Sequence, residues 1–61
     1  MDQRTFTFSD LEGGDETTVV VRRVDNGVGL TVSKRGDGDV EAFVPLAEAQ
    51  RIAEALSALI E

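Results

Sequence analysis

The chain has 61 residues, twelve acidic against six basic, and a net charge of −6, so one domain spanning residues 1–61 is expected. It has no Cys and no His, which excludes disulfides, thiolate metal sites, the commonest zinc ligand and the commonest general base. A chain this short buries a small share of its surface, and oligomerisation is the remaining way to enlarge the core.

In chain order, residues 3–8 alternate with period two, Phe6 and Phe8 sharing a face with Arg4, and predict a first strand. Residues 9–15, with Gly13-Gly14 and three acids, predict a loop. Residues 16–24 are rich in β-branched side chains and predict a second strand. Asn26-Gly27 predicts a two-residue hairpin turn into a third strand over 28–35. That turn sets Arg23 opposite Leu30, Val21 opposite Val32 and Val19 opposite Lys34. Asp37-Gly38 predicts a second such turn into a fourth strand over 39–44, with Glu41 opposite Lys34 and Phe43 opposite Val32. Pro45 ends that strand because it has no N–H to donate.

From 47 to 60 the apolar spacing becomes helical: Ala49, Ile52, Ala53, Leu56, Leu59 and Ile60 share one face. No Ser, Thr, Asp or Asn stands ready to cap this helix, although Glu48 in its first turn suits the macrodipole. The expected fold class is α+β: a four-stranded antiparallel β-meander with one C-terminal α-helix packed on one face, ββββα.

The helix is expected on the face that carries Val19, Val21, Leu30, Val32 and Phe43, joined by Phe6 and Phe8. The opposite face then holds Val20, Val24, Val40, Ala42 and Val44 among Arg22, Thr31, Ser33 and Arg35. These nine residues form the expected binding surface, because the face is more apolar than a solvated sheet needs. A second copy of the chain, forming a dimer first of all, is the expected cover. Catalysis is not expected: no His or Cys can activate Ser9, Ser33 or Ser57, and a small meander offers little cleft for paired carboxylates. No metal or cofactor is expected either. Asp10, Glu12, Asp15 and Glu16 lack the spacing of a calcium loop and read as a solvated turn, and Gly13-Gly14 lacks the ending of a phosphate loop.

Four strands followed by a helix, with the last strand running into Val44-Pro45-Leu46, resembles the fold of the transcriptional coactivators that dimerise and bind single-stranded DNA across the sheet. That resemblance implies a single-stranded nucleic-acid ligand. The face assignment projects Arg22 and Arg35 away from the helix with Arg4 as a further candidate, a patch whose alternative use is to hold one nucleotide between two subunits. Against it stand the acidic balance, the lack of Tyr and Trp, and three Phe assigned to the core. The expected function is therefore a small acidic homo-oligomeric module that binds another protein, such as an inhibitor or adaptor of the kind phages and plasmids encode. A dimeric nucleotide- or single-strand-binding protein is the alternative. No apolar run approaches the length of a membrane span, and the N-terminal residues lack a signal-peptide pattern, so a cytoplasmic, membrane-free protein is expected.

Overall fold

The computed structural model describes residues 2–61; Met1, the first residue of the expected domain, lies outside them. The chain forms β1 (Gln3–Ser9), β2 (Glu16–Val24), β3 (Gly27–Lys34), β4 (Gly38–Pro45) and α1 (Leu46–Ile60). The strands make one antiparallel sheet in the order β1-β2-β3-β4, so β1 and β4 are its edges. The helix packs on one face, against β3 and β4. No helix among the described residues is long and apolar enough to cross a membrane.

Register decides which side chains meet the helix. β1 sets Phe6 opposite Val19, Phe8 opposite Thr17 and Arg4 opposite Val21. β2 sets Val19 opposite Val32, Val21 opposite Leu30 and Arg23 opposite Val28. The first hairpin is therefore two residues out of the expected register. Its loop is Asp25-Asn26, and Gly27 already belongs to β3. Only Asn26 takes a positive φ there, 66°, which its short polar side chain tolerates. An offset of two keeps every side chain on its own face, so Val19, Val21, Leu30 and Val32 stay together, and Phe6 and Phe8 join them as expected.

The second hairpin differs in a way that matters. Its loop is Arg35-Gly36-Asp37, three residues rather than two, with the Asp37 N–H donating to the Lys34 carbonyl at 2.9 Å. The resulting pairs are Val28 with Val44, Leu30 with Ala42, Val32 with Val40 and Thr31 with Glu41. This odd offset turns β4 over. Val40, Ala42 and Val44 belong to the helix-bearing face, while Phe43 lies on the opposite one. The physical reason is plain in the alternation. Asp39, Glu41 and Phe43 share one side of the strand and Val40, Ala42 and Val44 the other, and the expected register would have put two carboxylates beneath the helix.

No side chain caps α1, as expected; Pro45 at its start has φ −57° and ψ 148°. The Asn26 carbonyl instead accepts the Leu46 N–H at 3.1 Å, so the first hairpin supplies a partner for an otherwise orphaned donor. The loop between β1 and β2 closes on Asp10. Its carboxylate accepts the N–H groups of Glu12 and Gly13 at 3.2 and 3.1 Å and pairs with Lys34 Nζ at 3.4 Å.

Candidate interaction surfaces

The face away from the helix is a hydrogen-bonded polar surface. Arg22 lies opposite Gly29, which in turn lies opposite Phe43. Because Gly29 has no side chain, the Arg22 stem crosses the space above it; a Cβ added there would meet Arg22 Cγ at 3.2 Å. The guanidinium carbon sits 5.4 Å from the Phe43 ring centroid, and Nη2 pairs with Glu41 at 2.5 Å. Thr31 donates to the same Glu41 oxygen at 3.3 Å, and Ser33 bonds Asp39 at 2.6 Å. The Glu41–Lys34 pair expected from the sequence does not form: Glu41 pairs with Arg22 and Lys34 with Asp10.

Of the nine expected surface residues, Val20, Arg22, Val24, Thr31 and Ser33 share this face. Val40, Ala42 and Val44 face the other way, because β4 is inverted relative to the expected register. Arg35 belongs to the loop after β3 and approaches Glu16 at 3.9 Å. Arg4, the third cation of the alternative ligand site, lies on the helix-bearing face beside Val21. The sheet therefore does not gather Arg4, Arg22 and Arg35 into one anion site.

The opposite, helix-bearing face carries the surface that sequence reasoning missed. Phe6, Val19, Val32 and Val40 form one apolar row across all four strands, and Phe8 stands at the next row on β1. The helix does not cover this row. Its first three turns lie over the other end of the sheet, where Ala49, Ile52, Ala53 and Leu56 roof Val21, Val28, Leu30 and Val44 and leave an open groove of about 260 Å³. Phe6 stays 52% exposed and Val40 70%, while Leu59 and Ile60 in the last helical turn remain 84% and 81% exposed. Among the described residues no apolar side chain is buried.

Two carboxylates have lowered pKa values. The Gly13 N–H, helped by Lys34, holds Asp10 below the ordinary carboxylate range, and the Arg22 hydrogen bond does the same for Glu41. A lowered folded-state pKa means that in acid the unfolded chain takes up protons first. Their contribution is thus complete above the unfolded carboxylate pKa and disappears as pH falls through the lower folded value. Thermal melts followed by circular dichroism across the acid range are expected to show falling midpoints. Asp10→Asn and Glu41→Gln are each expected to flatten that slope, and an unchanged slope in both would contradict these assignments.

No family model matches the chain, and comparisons with curated proteins and with solved structures likewise give no match.

Proposed function

We propose that the chain is a non-enzymatic, homodimeric binding module of the cytoplasm that offers sheet surface to another protein. One observation carries this: a single chain buries no apolar side chain among its described residues. A 61-residue scaffold without Cys needs association to gain a core. The helix-bearing face is the apolar one, so self-association there leaves the Arg22–Glu41–Phe43 face and the β1 and β4 edges outward. An edge takes a partner strand through main-chain hydrogen bonds. The net charge of −6 suits an inhibitor or adaptor that engages a basic surface, an encounter that salt would weaken. Light scattering tests the assembly: a particle of twice the 6.6 kDa chain mass is expected, and a folded particle of 6.6 kDa would refute it.

A second reading has one observation in its favour. Phe43, 61% exposed and stacked with Arg22, is the kind of aromatic–cation platform that holds a base. It stands second because Glu16, Asp39 and Glu41 share that face. Fluorescence anisotropy with an oligothymidylate separates the two. Binding that Phe43→Ala abolishes supports a nucleic-acid ligand, and no binding removes it.

A further inference from the structure

We infer that a second copy of this chain docks on the uncovered end of the helix-bearing face, laying its Leu56, Leu59 and Ile60 across the row of Phe6, Val19, Val32 and Val40, and receiving the same in return. This rests on the homodimer proposed above and adds where the two chains meet.

Area is the first support. The chain exposes 5076 Å². A folded monomer of 6.6 kDa exposes about 3,900 Å². The excess is about 1,200 Å² per chain, or about 2,400 Å² for a pair, within the span of obligate homodimer interfaces. Scattered exposed residues would not need a partner, but Phe6, Val32 and Val40 are exposed in one row on this face.

Shape is the second. A two-fold interface uses the same surface on both subunits, so that surface must complement itself. Here one surface holds both halves of such a match: a flat apolar row, and beside it a helix end whose Leu59 and Ile60 find little to pack against in their own chain.

Charge is the third. Glu16, Asp39 and Glu41, the carboxylates that the strands carry, all point to the opposite face. On the helix-bearing face the strands place Arg4, Arg23 and Lys34. Two acidic chains therefore meet here without carboxylates opposed across the sheets. Arg4 makes no ion pair among the described residues and stands one row from Phe6. The last turn of α1 carries no basic residue, so its carbonyl groups offer Arg4 the complementary charge.

Matched substitutions on the two faces test the site. Phe8 is 48% and Phe43 61% exposed in the single chain, so each is an accessible aromatic, one per face. In sedimentation experiments Phe8→Glu, which sets a carboxylate beside the docked row, is expected to raise the dimer dissociation constant about a hundredfold. Phe43→Glu is expected to leave it unchanged. Leu59→Glu, at a side chain that its own chain hardly buries, guards against a variant that simply misfolds, and is expected to match Phe8→Glu. A wild-type dimer that Phe43→Glu dissociates, or that survives both Phe8→Glu and Leu59→Glu, would overturn this interface while leaving the homodimer standing. A wild-type monomer that folds alone, with this face reserved for a different protein, would overturn both.

Discussion

Diluting the protein a hundredfold is expected to lower its unfolding midpoint by about 10 °C. Among the described residues no apolar side chain is buried in one chain, so in the proposed homodimer much of the free energy that holds the fold comes from between chains. Each tenfold dilution then removes about 1.4 kcal/mol per dimer. Unfolding releases about 2.1 cal/mol/K per residue, so two chains of 61 residues have an unfolding entropy of about 0.26 kcal/mol/K. Dividing the loss of about 2.7 kcal/mol by that entropy gives the shift. Circular dichroism melts at several concentrations measure it directly. A midpoint independent of concentration means that the single chain is the folding unit.

Gly27→Ala is expected to destabilise the fold by about 3 kcal/mol, at the upper end of overpacking costs. Gly27 opens β3, pairs with both Val24 and Pro45, and is buried. A Cβ added there would overlap the Val44 carbonyl oxygen, a main-chain atom at the end of β4 that cannot swing aside as a side-chain tip can. The same corner launches the helix, because Leu46 hangs on the Asn26 carbonyl. Moving β4 away would therefore disturb strand pairing and helix start together. Gly14→Ala is the control: its φ is +77° with nothing within 4 Å, so only the conformational cost of about 1–2 kcal/mol applies. Denaturant unfolding of both variants should rank Gly27→Ala well below Gly14→Ala, and equal losses would contradict the steric assignment.

Gly27 also shows why part of the fold was legible in the sequence and part was not. Asn26-Gly27 marks the hairpin correctly, but its two residues do different jobs. Asn26 bends the chain, and Gly27 makes room for β4. The dipeptide looks the same whichever residue turns, so the register came out two residues off, an error that period-two alternation hides. The helix was legible for the opposite reason: its apolar spacing repeats over four turns, and nothing in it competes.

The second hairpin exposed the limit. Gly36-Asp37-Gly38 supports a turn of two residues or three, and those lengths point β4 in opposite directions. A possible Glu41–Lys34 pair favoured the wrong one, because Arg22 offers Glu41 an equivalent partner one strand further away. The discriminating signal was present in Asp39, Glu41 and Phe43 alternating with Val40, Ala42 and Val44. A face with two carboxylates does not belong under a helix. This single parity relocates the candidate surface as well. It moves Val40, Ala42 and Val44 from the expected binding surface to the helix side and completes the apolar row there. The expected binding face is therefore not the apolar one, and the uncovered apolar row lies on the other side of the sheet.

Isotope-filtered nuclear Overhauser spectroscopy on a mixture of labelled and unlabelled chains tests the central claim most directly. Cross-chain contacts between the Phe6 and Phe8 rings and the Leu59 and Ile60 methyls are the predicted result. Cross-chain contacts confined to Val20 and Phe43, or none between copies at millimolar concentration, would contradict it.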